Sequence, residues 1–266
     1  MSWSTPTRPR RPWCSTASCP CATPGPGWCR QGRWSELSGP RLILFDIDQT
    51  MIHTAGAGMR AMGQALARVC GASAEGIVPD GKTDPMILRE ALRACGVPVE
   101  RWRAIEEEVW LAYAELLADE LARPDERRRV RPGVRALLEQ LSAEPRVRLG
   151  LLTGNLEVTA RLKLRAFDLD RYFPVGAFGS DCADRCSLGK VALERARRHY
   201  QVDFAPAETW VVGDTVYDIE AARAFGGRAL AVATGRTPLA RLEESLPDAA
   251  LSDLSDVAAV RRLLLS

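Results

Sequence analysis

The sequence predicts a parallel α/β sheet flanked by helices, with a helical insertion after the first strand. Three observations carry that expectation. Residues 42–45 form an unbroken apolar run, as in strands covered on both faces. From residue 147 onward, short apolar runs alternate with helix-period stretches, the pattern of βαβ units with right-handed crossovers. Between these two regions, residues 59–121 keep a helical period throughout.

The elements follow in order. Residues 1–38 are rich in Pro, Ser, Arg, Gly, Cys and Trp, show no apolar period and are expected to be disordered. Residues 41–48 form the first strand, and Gly56 and Gly58 mark a flexible exit. Met62, Leu66 and Val69 recur at helical spacing up to Gly71, as do Ile87, Leu88, Ala91, Leu92 and Cys95 up to Gly96 and Pro98. A longer stripe runs from Trp102 through Ile105, Val109 and Tyr113 to Leu117, and the polar run PDERRRVRPG leads back. Helices are then expected over 132–141, 157–166 and 190–200, and strands over 147–152, 175–178, 209–212 and 228–233. The domain reading is an extension (1–38), a core (39–55 and 129–266) and a helical cap (56–128).

Bulk properties narrow the function classes. The chain has 266 residues, 46% hydrophobic and 26% charged, with a net charge of +2. Residues 1–38 carry +4 and the remainder −2, which gives no general reason to expect nucleic acid as a partner. No apolar run reaches the length needed to span a membrane. Without the apolar core of a signal peptide, the eight cysteines are read as reduced thiols in a cytoplasm. Cys14, Cys19, Cys21 and Cys29 invite a zinc reading, but their spacing lacks the paired short loops of structural sites. The Arg-rich, acid-poor start also fits a transit peptide or a translation start placed too far upstream.

The chemistry concentrates at strand ends. Asp46 and Asp48 are two apart, so an extended chain points both to the same side. Thr153 and Asp214 also follow directly on apolar strands. One acid after a strand is ordinarily a helix cap; three acids and a hydroxyl at three strand ends call for a common purpose. In doubly wound sheets, ligands bind beyond those carboxyl ends. Clustered carboxylates suit Mg²⁺, one of them can attack phosphorus, and a second can move the proton.

In these motifs the chain resembles the haloacid dehalogenase superfamily of hydrolases, in the branch that includes phosphoglycolate phosphatases. The carrying residues are Asp46, Asp48 and Thr50 as D-x-D-x-T, Thr153 in LLTGN, and Gly213, Asp214 and Asp218 as G-D-x-x-x-D. The resemblance covers residue 42 to the C-terminus and implies a core of strand order 3-2-1-4-5 with an inserted helical cap. It implies that Asp46 is the nucleophile and a Mg²⁺ ligand. Asp48 would be the general acid/base, its backbone carbonyl also touching the metal. Thr153, with Gly154 and Asn155 beside it, would hold the phosphoryl group. Asp214 would ligate Mg²⁺, and Asp218 would orient it or a bound water. The phosphate-neutralising lysine is either Lys163 or Lys190. Gln49 departs from the family, which usually has glycine there.

A rival motif, GIVPDGKT, formally satisfies the phosphate-loop pattern. That loop needs a buried strand immediately before it, and residues 73–75 do not make one. The resemblance instead places Lys82 and Thr83 in a loop contacting the non-reacting end of the substrate, with Asp84 capping the next helix. The expectation is a Mg²⁺-dependent phosphatase acting on a small phosphorylated metabolite, a monomer or homodimer. Alternatives are a phosphotransferase or mutase, a non-catalytic binding module, and a P-loop nucleotide binder.

Overall fold

The computed structural model describes residues 39–266. The disorder, zinc and transit-peptide expectations concern residues 1–38, which lie outside the described residues.

In chain order the elements are β1 (Arg41–Phe45), β2 (Ile52–His53), α1 (Ala57–Cys70), α2 (Asp84–Ala94), α3 (Trp102–Ala122), β3 (Arg129–Val130), α4 (Val134–Ser142), β4 (Val147–Leu152) and α5 (Glu157–Ala166). There follow β5 (Gly176–Ala177), α6 (Arg185–Tyr200), β6 (Thr209–Gly213), α7 (Val216–Ala224), β7 (Arg228–Val232), α8 (Leu239–Glu244), β8 (Ala249–Leu251) and α9 (Val257–Leu265).

Six strands form a parallel sheet in the order β5-β4-β1-β6-β7-β8. The expected 3-2-1-4-5 order is the run from β5 to β7. The short β8, which the sequence reading lacked, extends it by one strand. Phe45 pairs with Leu151 on one side and Val212 on the other, so the central strands end level with one another. That register brings Asp46, Thr153 and Asp214 to one edge of the sheet.

Strand alternation divides the core. Ile43, Phe45, Leu149, Leu151 and Val212 face α4, α5 and α9, whereas Leu42, Leu44 and Val211 face α6 and α7. The insertion α1–α3 has its own apolar centre around Leu66, Leu88, Val109 and Tyr113, which Leu156 joins from the start of α5. Burying each such leucine contributes about 2 kcal/mol.

Helix α6 begins at Arg185, whereas the apolar period predicts a start at 190. Asp184 caps it, accepting from the Cys186 amide at 3.1 Å and from the Ser187 hydroxyl at 2.7 Å. Gly189 hides this first turn from a periodicity reading. It sits inside the helix because the Phe225 ring packs on it, 2.0 Å from where a Cβ would lie. The two-stranded ribbon β2–β3 was also not foreseen; it pairs Ile52 with Val130 and His53 with Arg129. Among the described residues, no helix is long and apolar enough to cross a membrane.

Candidate active site

Asp46 leaves β1 buried, its amide still paired with the Val212 carbonyl at 2.9 Å. Beside it, Asp214 leaves β6 and accepts from the Thr50 hydroxyl at 2.8 Å. Asp218, in the first turn of α7, turns back to accept from the Thr215 amide at 3.0 Å and hydroxyl at 2.7 Å. Oxygens of these three buried carboxylates lie within 4.8 Å of one another.

Asp48 points elsewhere. Its Oδ2 accepts from Lys163 Nζ at 2.5 Å and from Asn155 Nδ2 at 2.9 Å. Asn155 also binds Thr153 Oγ1 at 2.9 Å and accepts from Lys163 at 2.6 Å. The structure therefore brings Asp48, Thr153, Asn155 and Lys163 into one hydrogen-bonded group. Lys163 reaches it from α5 and is buried, whereas Lys190 lies exposed on α6 and does not line the cavity.

The residue that the sequence reading missed is Arg185. One of its nitrogens, Nη2, donates to Asp46 Oδ1 at 2.9 Å and also to Asp218 Oδ1. A search confined to lysines passes over it, and its place depends on the unexpected first turn of α6.

Gln49 adopts φ 66°, the left-handed region that favours glycine. Arg131 holds it there, donating from Nε to the Gln49 carbonyl at 3.1 Å and from Nη2 to its Oε1. His53 Nδ1 meets the same Oε1 at 3.1 Å.

The segment before α2 closes over the site. Gly154 meets it without a side chain, because a Cβ there would come within 2.3 Å of the Lys82 carbonyl. Thr83, and not Asp84, caps α2, accepting from the Met86 amide at 3.3 Å while its hydroxyl donates to the Ala183 carbonyl at 2.9 Å. Asp84 instead faces the start of α5, its Oδ2 accepting from the Leu156 amide at 2.9 Å. Lys82 is engaged by Glu90 at 2.5 Å. Helix α1 and an irregular segment precede Gly81, so the strand that a phosphate loop requires is missing among the described residues. The cavity enclosed by these groups measures about 350 Å³, the size of a small-molecule site.

The family model of the haloacid dehalogenase-like hydrolases matches residues 40–226. The chain belongs to that family. Its relatives include the tyrosine-protein kinase PtkA of Mycobacterium tuberculosis, 30% identical over 192 residues, covering 72% of this chain and 62% of PtkA. The chain thus spans less than two thirds of that relative. The fold recurs in a predicted phosphoglycolate phosphatase from Haemophilus somnus, with TM-score 0.63, 19% identity, and coverage of 85% of this chain and 99% of that one. It recurs also in CbbY from Rhodobacter sphaeroides, crystallised with phosphate, with TM-score 0.62, 20% identity, and coverage of 82% and 96%.

The electrostatics of this haloacid dehalogenase-like hydrolase suit a cation. Burial raises Asp46 to about 6, with Asp218 and Asp48 adding to the rise and Arg185 opposing it. Burial also carries Asp214 well above the carboxylate range, helped by the charges of Asp46 and Asp218. Three hard oxygen donors crowded in this way fit a divalent metal, which would relieve their repulsion. Asp46 and Asp214 are the better-placed donors, because both Asp218 oxygens already serve Thr215 and Arg185.

Proposed function

We propose that this enzyme hydrolyses a small, phosphoglycolate-like phosphomonoester through an aspartyl-phosphate on Asp46. The observation that carries the reading is the division of the two acids. Asp46 sits among carboxylates with Arg185 at its Oδ1, while Asp48 sits apart with Lys163 and Asn155. This division supports a reading in which Asp46 attacks and Asp48 exchanges a proton.

Asp46 attacks phosphorus, the ester P–O bond breaks, and the leaving oxygen takes a proton from Asp48. Asp48 then accepts a proton from water, whose oxygen attacks the same phosphorus and frees Asp46. Thr153, Gly154 and Asn155 hold the phosphoryl oxygens, and Lys163 and Arg185 offset their charge. Mg²⁺ would be held by Asp46, Asp214 and the Asp48 carbonyl, with Asp218 orienting from behind. When bound, it would offset charge on the phosphoryl oxygens. Residues 56–128 act as a cap over a core formed by 39–55 and 129–266. The setting is cytoplasmic, with a monomer or homodimer as the working unit.

The test is turnover of a panel of phosphate esters with Mg²⁺. Asp46→Asn and chelation should each abolish it, and full activity after either would end the reading.

The kinase named among the relatives supports a second reading, in which a hydroxyl other than water accepts the phosphoryl group. Phosphate recovered on an added acceptor, in place of free phosphate, would favour it.

A further inference from the structure

Five long cationic side chains line the cavity: Lys82, Arg131, Lys163, Arg185 and Arg236. Four are engaged by carboxylates. Lys82 pairs with Glu90 at 2.5 Å, Lys163 with Asp48 at 2.5 Å, Arg185 with Asp46 at 2.9 Å, and Arg236 with Asp80 at 3.8 Å. Arg131 pairs with no carboxylate among the described residues.

Its only side-chain hydrogen bonds to described residues are those to Gln49, made through Nε and Nη2. Nη1 keeps its donors free of protein partners, and the side chain is clamped in place. A planar guanidinium with its orientation fixed is well suited to recognising a carboxylate. Its surroundings add to the field: Arg129 lies across the ribbon from His53, and the Arg131, Arg129 and Arg127 charges all act on His53. Of the arginine run that the sequence shows as a polar return, Arg131 is the member that lines the cavity.

Lys82 and Thr83, expected from the sequence to contact the non-reacting end, are occupied by Glu90 and Ala183. We infer that Arg131, clamped by Gln49, selects the substrate by binding a carboxylate on the leaving part of the ester. This rests on the phosphomonoester reading above. It assigns selectivity to the residue that directly follows β3, and gives the departure at Gln49 a purpose. Glycine would suit the turn better, but it lacks the side-chain oxygen that accepts from Nη2.

Calorimetry with two hydrolysis-proof probes, 3-phosphonopropionate and propylphosphonate, tests the inference on the full chain with Mg²⁺ present. The wild type should bind 3-phosphonopropionate tighter by about tenfold or more, the worth of one charge-assisted bond. Arg131→Gln should bring the ratio near one, Arg131→Lys should retain part of it, and Gln49→Gly should lower it while keeping the turn. Thermal melts establish that each variant is folded. A wild-type ratio near one, or a ratio unchanged in Arg131→Gln, overturns the inference. If either occurs while Asp46→Asn still abolishes ester turnover, the phosphatase reading survives without it. Failure of the wild type to bind both probes overturns the two together.

Discussion

Arg185 Nη2 donates to Asp46 Oδ1 at 2.9 Å and to Asp218 as well, so one buried guanidinium ties the end of β1 to the first turn of α7. Burial opposes its charge, while Asp218 and Asp46 favour it and hold it protonated. Arg185 is therefore the counter-ion that lets three carboxylates share one buried corner.

Removing that counter-ion should be costly. Arg185→Gln leaves buried carboxylates uncompensated, and a loss of about 3 kcal/mol is expected in metal-free buffer. Saturating Mg²⁺ should restore part of it, because the added cation takes over the compensation. Urea unfolding with and without Mg²⁺ checks both. A variant as stable as the wild type would mean that the arginine is dispensable to the cluster.

The two candidate lysines should separate cleanly. Lys163→Ala removes the partner of Asp48 and Asn155 and should lower kcat by about 100-fold. Lys190→Ala removes an exposed side chain, and its kcat should stay within about twofold. Steady-state kinetics on one phosphate ester decides between them, and the reverse ranking would move the cationic group to α6.

Asp84 predicts a pH signature. Burial raises its carboxyl from 3.8 to about 6. Between those values the folded protein binds the extra proton, so stability is greatest at the acid side and falls as pH rises through about 6. From pH 4 to 7 the wild type should lose on the order of 2–3 kcal/mol relative to Asp84→Asn, which lacks the titration. Parallel stability profiles for the two proteins would remove Asp84 from this role.

The parts of the site legible in the sequence are those fixed by strand ends. Asp46, Thr153 and Asp214 each follow an apolar run, and the sheet order makes them neighbours. Lys163 could be named but not chosen, because its value lies in reaching Asp48 across 115 residues of chain. Arg185 was hidden by an interior glycine explained only by Phe225, far along the chain. Arg131 was one arginine in a run of several, and its hold on Gln49 spans 82 residues. The strand β8 and helix α9 were missed as well. The former is three residues long, and such short elements are settled by packing more than by local pattern.

The central claim is that Asp46 carries the phosphoryl group. Acid quenching of the enzyme during turnover of a ³²P-labelled ester, followed by peptide mapping, tests it directly. The label should lie on the peptide containing Asp46 and be absent from Asp46→Asn. Label on another residue, or undiminished turnover by Asp46→Asn, would contradict the account.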